Sequence, residues 1–177
     1  MGAVVHIDLD DKPYLEILDG RCVRKVSPKR KHAVLQWRIA ALIDRLGGSF
    51  GQVATEWRFH LPAGGNGATT LVPDVAWVAL ERLRSLSENA REEPPFAPDI
   101  VVEVRSPSDR EAHIAAKIAA YLANGSLVVL DVDPDREVIT AHERGGSTTF
   151  SRGDFFQCSS VPWLRFETAP LFASLEI

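Results

Sequence analysis

The amino-acid sequence predicts an α/β fold in which a central mixed β-sheet is flanked by helices. Three observations predict it. Apolar, β-branched runs alternate with amphipathic stretches in the order α, β, α, β, β, α, β, β. Leu127–Val132 reads as a continuous apolar strand, the pattern of a strand in the middle of a sheet. At 177 residues, with 45% apolar and 25% charged residues, the chain predicts one domain, 1–177, with a real core.

Each element follows from local signals. Tyr14–Gly20 reads as a short element closed by a turn at Asp19-Gly20, and Arg21–Val26 as a short strand. Ser27 as N-cap and Pro28 as first helical residue start a helix that runs to about Leu46. Val34, Leu35, Ile39, Leu42, Ile43 and Leu46 recur on it at helical spacing, and Gly47-Gly48 closes it. Phe50–Leu61 alternates in character and reads as a strand. Pro62–Gly67 is a flexible loop that lacks the Lys-Ser/Thr of a phosphate-binding loop. Thr69–Ala79 is the next strand, Glu81–Arg91 a short charged helix, and Pro94-Pro95 part of a loop. Asp99–Arg105 is a further strand. Ser106–Asp109 turns and caps a helix from about Arg110 to Ala123, whose core face carries Ile114, Ile118, Tyr121 and Leu122. Asn124-Gly125 stops that helix. After Leu127–Val132, a turn at Asp133–Arg136 brings Glu137–His142 back as a hairpin partner, and Ser147–Ser151 adds a strand. The tail docks through its aromatics, Trp163, Phe166 and Phe172.

No apolar run is long enough to span a bilayer, and the first residues lack a secretory pattern. Cys22 and Cys158 have no metal-ligand spacing. They read as reduced thiols of a cytoplasmic protein, with a single bridge as the alternative. The net charge of −4 argues weakly against a nucleic-acid partner. Its distribution partly reverses that. Arg21, Arg24, Lys25, Lys29, Arg30, Lys31 and Arg38 fall between positions 21 and 43 with no acid among them. The stretch reads equally as a phosphate-binding patch or as a solvated surface.

Two acids stand out. Asp74 lies within Leu71–Val78 and Glu103 within Pro98–Ser106, both apolar strand-like runs. A carboxylate there is costly unless it is paired or bound to a metal. Alternation puts Asp99, Val101, Glu103 and Arg105 on one face, with Val102 and Val104 on the other. If the two strands are neighbours, Asp74 and Glu103 approach within reach of one divalent cation. Mg²⁺ (or Mn²⁺) takes oxygen ligands, and the Val104 carbonyl is a further candidate. Lys117 follows on the next helix, beside its core stripe, where it can orient an attacking water. The plainer reading is a lysine reaching to solvent. Glu16, among Leu15, Ile17 and Leu18, is a candidate fourth ligand. Asp99 shares the Pro-Asp context of Asp74, but it opens its strand and fits a local cap or pair. His32 and Gln36 lie near the basic stretch, and His32 suits a surface position as well as a phosphate contact.

Tyr14–Gly20, Ser27–His32, Val72–Val78, Pro98–Ser108 and Lys117–Tyr121, in that order and spacing, resemble the Uma2 family of the PD-(D/E)XK nuclease superfamily. The resemblance runs from about Tyr14 to Phe172. It implies a restriction-endonuclease-like core. It implies that Asp74 is the aspartate of the Pro-Asp motif, that Glu103 is the acid of the (D/E)XK strand, and that Glu16 is an acid on the first helix completing the site. Arg105 stands where the superfamily pattern has lysine; a guanidinium suits phosphate clamping and not proton transfer. Lys117 is then similar to a lysine relocated to the following helix. Ala112, His113 and Ser126–Val128 depart from the family pattern.

Three functions follow as expectations. The first is a Mg²⁺-dependent DNA endonuclease, with Lys29, Arg30, Lys31, His32 and Arg105 on the nucleic acid. The second is an inactive relative that binds nucleic acid or protein. The third is a small-molecule phosphohydrolase, for which no nucleotide-specific loop is visible. Superfamily enzymes often act as homodimers, since cutting two strands takes two symmetry-related sites. Trp163, Phe166 and Phe172 fit either such an interface or the core.

Overall fold

The computed structural model describes residues 15–25, 28–64, 67–107 and 109–176. The chain runs β1 (Leu15–Leu18), β2 (Arg21–Arg24), α1 (Arg30–Gly47), β3 (Gly51–Thr55), β4 (Phe59–Gly64), β5 (Gly67–Leu71) and β6 (Val75–Ala79). It continues α2 (Leu80–Arg84), α3 (Glu88–Glu92), β7 (Ile100–Val104), α4 (Glu111–Ala123), β8 (Val128–Asp133), β9 (Val138–Glu143) and β10 (Gly146–Ser151). It ends with β11 (Phe155–Phe156), β12 (Phe166–Glu167) and α5 (Ala169–Ala173).

The central sheet has six strands in the order β10-β9-β8-β7-β6-β3. It is mixed: β7 and β8 are parallel, and the other neighbours are antiparallel. Parallel neighbours need a crossover, which α4 supplies. β8 lies inside the sheet, as its apolar run predicts. A second sheet, β2-β1-β5-β4, is antiparallel throughout. Its β1–β2 hairpin turns at Asp19 (φ 49°) and Gly20 (φ 74°), the two left-handed positions that a two-residue hairpin favours.

Two apolar layers sandwich the central sheet. On one face, Leu35, Ile39 and Ile43 of α1 meet Val102, Val104 and Leu130, with Phe166 and Phe172 of the C-terminal segment closing the layer. Burying each of the three α1 side chains contributes about 1.5–3 kcal/mol. On the other face, Val101 and Val129 pack with Ile114, Ile118 and Tyr121 of α4 and with Phe59, Leu61 and Leu71 of the second sheet. Phe166 and Phe172 are therefore core. Trp163 is half-buried, its ring 5.2 Å from Trp77 and 5.1 Å from Phe50. Cys22 and Cys158 are free thiols. Among the described residues, no helix is long and apolar enough to cross a membrane.

Several elements differ from the sequence-based expectation. Glu16 lies on a strand, not on a first helix. α1 begins at Arg30 with Lys29 at its N-cap; Pro28 precedes it, and Ser27 lies outside the described residues. The expected strand Phe50–Leu61 is two strands in different sheets, β3 and β4, separated at Glu56 in left-handed conformation (φ 53°). Thr69–Ala79 likewise divides into β5 and β6 at Val72-Pro73-Asp74, where Pro73 brings no N–H to the ladder. The two breaks are tied together, the Glu56 N–H donating to the Asp74 carbonyl at 3.3 Å. Glu81–Arg91 is two short helices, α2 and α3.

Candidate active site

The break at Pro73 places Asp74 where the chain passes from one sheet to the other. β6 pairs with β7 as far as Val75↔Val102, so Asp74, the residue before β6, lies at the end of that ladder, where it lines one cavity with Glu103 and Val104. Pro73 brings no N–H to the ladder, and the Val104 N–H bonds a side chain instead, donating to Asp74 Oδ2 at 2.7 Å. β7 reaches β8 through the neighbouring Arg105 N–H, which donates to Val132 O at 2.8 Å. By alternation, Val104 turns its own carbonyl as well as its N–H toward Asp74.

Three carboxylates and two amines surround this corner. Lys117, from α4, lies between Glu103 Oε2 at 2.7 Å and Glu16 Oε1 at 3.0 Å. Glu16 Oε1 also accepts the Val72 N–H at 2.9 Å. Tyr121, one helical turn past Lys117, donates its hydroxyl to Glu103 Oε1 at 3.0 Å. Lys25 places Nζ 2.7 Å from Asp74 Oδ1 and donates to Val72 O at 2.8 Å. His32 Nε2 stands 3.3 Å from Asp74 Oδ1, and Gln36 donates to the Asp74 carbonyl at 3.1 Å. Asp74, Glu16, Lys117 and His32 are all buried.

Electrostatics separates the acids. Burial by itself raises the Asp74 carboxyl, but the Lys25 ammonium and the His32 ring outweigh it and hold it well below the usual carboxylate range. Burial pushes Glu103 up to about 7; Lys117 pulls against this, and the negative charges of Asp74 and Glu16 add to the rise. Burial disfavours the Lys117 ammonium, yet Glu103 and Glu16 together raise its pKa above the ordinary lysine value. Burial and the adjacent Glu103 charge raise Tyr121 well above a free phenol.

The cluster opens into a cavity of about 380 Å³ that Arg105, Asp131, Arg110 and His113 also line. Arg105 does not project freely there. Its Nε and Nη2 form a bidentate pair with Asp131 at 2.8 and 2.6 Å, and Nη1 contacts Glu111.

Asp74, Glu103, Val104, Lys117 and Glu16 thus lie together, with His32 beside them. Lys29, Arg30 and Lys31 do not line the cavity. Arg30 donates to Leu175 O, Lys31 pairs with Asp135 on the surface, and Lys29 sits at the exposed start of α1. Asp99 lies at the far end of its strand, where it accepts the Ala79 N–H and pairs with Arg82, the local role its position suggests. Three site residues escape the sequence reading. Lys25 is one cation of a basic stretch, and Tyr121 reads only as core. Asp131 is a lone acid inside an apolar strand, the same signal that marks Asp74 and Glu103, and it stands in register with Glu103.

Among curated proteins no match is found. The fold is shared with a solved structure described as “a putative nuclease belonging to DUF820” from Anabaena variabilis ATCC 29413. The two are 21% identical, each chain is covered to 93%, and the TM-score is 0.81. At that identity the likeness shows the fold alone: an α/β core with a central mixed sheet flanked by helices. The family Uma2, described as “Putative restriction endonuclease”, matches residues 5–168, nearly the whole chain. With that span matched, and with the mixed-sheet core in place, the chain belongs to the Uma2 family.

Proposed function

We propose that this protein is a Mg²⁺- or Mn²⁺-dependent endonuclease that hydrolyses phosphodiester bonds in DNA, one domain over residues 1–177 working as a cytoplasmic homodimer. The observation that carries the reading is that Asp74 and Glu103 line one cavity at the open end of the β6–β7 ladder, beside Val104. The donor set fits a hard divalent cation, being all oxygen. Charge fits as well: three carboxylates face the two ammonium groups, and burial holds the Glu103 proton to about 7, with the charges of Asp74 and Glu16 adding to the rise against the pull of Lys117. Among the described residues, no three His, Cys, Asp or Glu side chains form a metal site by themselves. The cation would therefore rest on Asp74, Glu103, the Val104 carbonyl, water and substrate phosphate, the pattern usual for Mg²⁺. When bound, it would supply positive charge against the phosphate and acidify a water molecule.

The chain's own groups account for the rest. Lys117, held by Glu103 and Glu16, keeps a fixed ammonium where it orients the attacking water and offsets charge on the phosphate. Glu16 and Tyr121 position Lys117 and Glu103. Arg105, fixed by Asp131 at the cavity rim, presents a charged edge to the DNA backbone, with His32 deeper in and Lys29, Arg30 and Lys31 extending the contact along the start of α1.

A second reading has its own support. Arg105 occupies the usual lysine position and is committed to Asp131, while Lys25 covers Asp74. Both features suit an inactive relative that binds nucleic acid or protein. Plasmid nicking separates the two. The nuclease reading expects Mg²⁺-dependent nicking, lost in Glu103→Ala while the variant keeps its fold. DNA binding with a steep salt dependence and no nicking would favour the inactive relative.

A further inference from the structure

We propose that the Lys25 ammonium occupies the cation position on Asp74 in the resting protein, so that a divalent ion binds only by displacing it. The inference rests on the metal-dependent reading above. Asp74 Oδ2 is committed to the Val104 N–H, so Oδ1 is the oxygen that remains for a cation. Lys25 Nζ sits 2.7 Å from that atom and 2.8 Å from the Val72 carbonyl. A carboxylate oxygen and a carbonyl oxygen are the donors a hard cation takes. The ammonium and the metal therefore compete for the same atom.

The placement of Lys25 suits release. It follows β2, which among the described residues is the outer strand of the four-stranded sheet, paired with β1 and largely exposed. Its flexible stem can carry the charge from Asp74 to solvent or to a phosphate at the cavity mouth. Lys117 contrasts with it in its partners, being held by two carboxylates from two elements, with 7% of its side chain exposed against 14% for Lys25. A DNA phosphate that draws Lys25 away frees Asp74 Oδ1, so nucleic acid and metal bind with positive coupling. By linkage, each then raises the affinity of the other.

Mn²⁺ titration followed by electron paramagnetic resonance, without DNA, tests this on the wild type, Lys25→Gln and Lys25→Arg. Lys25→Gln is expected to bind Mn²⁺ roughly tenfold or more tightly than wild type, because a competing positive charge is gone. Lys25→Arg keeps the charge and is expected to stay near wild type. Equal or weaker binding by Lys25→Gln overturns the inference and leaves the metal site standing. Failure of all three proteins to bind Mn²⁺ overturns the metal reading and this inference with it. Should Lys25→Gln not fold, acetylation of Lys25 in the wild type decides by mass spectrometry. Saturating Mg²⁺ is expected to speed it several-fold, and an unchanged rate overturns the proposal.

Discussion

Lys117→Met removes one ammonium and leaves its methylene volume nearly filled. In the wild type that ammonium lies 2.7 Å from Glu103 and 3.0 Å from Glu16. With an effective dielectric near 20, those attractions are about 6 and about 5.5 kcal/mol. Most of this offsets the desolvation of three buried charges, and removing one partner of such a set typically costs about 3–5 kcal/mol. The loss has a pH signature. Without Lys117, the Glu103 carboxyl loses the charge that pulls against its burial, so its proton stays on the folded state to still higher pH than on the unfolded chain. A carboxyl raised in this way contributes stability that is complete below its unfolded pKa and lost as pH rises through the folded value. The difference between wild type and variant is therefore small near pH 5 and reaches about 3–5 kcal/mol by pH 9. Urea unfolding of both proteins across that range, without divalent metal, measures it. An equal loss at both ends of the range, or no loss at pH 9, would refute the reasoning.

Three further outcomes follow from the same geometry. Glu103→Gln keeps acceptors for Lys117 and Tyr121 but removes a carboxyl that titrates near 7 when folded, so it loses nicking activity yet gains stability above pH 7. From an unperturbed value of 4.5 the gain is at most about 3 kcal/mol, absent near pH 4, as paired thermal unfolding curves will show. Arg105→Lys gives up the two-point pair with Asp131 and is expected to cost about 1–3 kcal/mol. A double-mutant cycle with Asp131→Asn measures the coupling, and a coupling near zero would mean the pair is incidental. Gly51→Ala puts a methyl 2.0 Å from the Trp77 indole, which also donates to the Gly47 carbonyl, so the variant is expected to lose about 3 kcal/mol or more in denaturant or to fail to fold.

The central acids were legible because a carboxylate in an apolar strand has few innocent explanations. Asp74 and Glu103 carry that signal, and the adjacency of β6 and β7, a condition in the sequence reading, is met in the fold. The interior place of β8 was legible from its composition, since Leu127–Val132 reads as a continuous apolar strand. The sheet change was not. Through Thr55-Glu56-Trp57 and through Leu71-Val72-Pro73, residue character keeps a strand-like pattern while the backbone passes between sheets, because both sheets demand period two. Lys25 was illegible as a site residue because its partner, Asp74, lies 49 positions away, and only the β1–β5 pairing brings the hairpin over the cavity. Tyr121 hid behind its ring, which fits the core stripe of α4 whether or not its hydroxyl has a task. The basic stretch misled in part: proximity in sequence suggested one patch, but α1 turns Lys31 to the surface and His32 to Asp74.

The most direct measurement is a crystal soaked in Mn²⁺ and recorded at the manganese absorption edge. An anomalous peak within about 2.0–2.3 Å of Asp74 Oδ1 and a Glu103 carboxylate oxygen, with Lys25 Nζ moved off Asp74, is the expected result. A saturated crystal with no peak at that corner, or with manganese bound only elsewhere, would contradict the account.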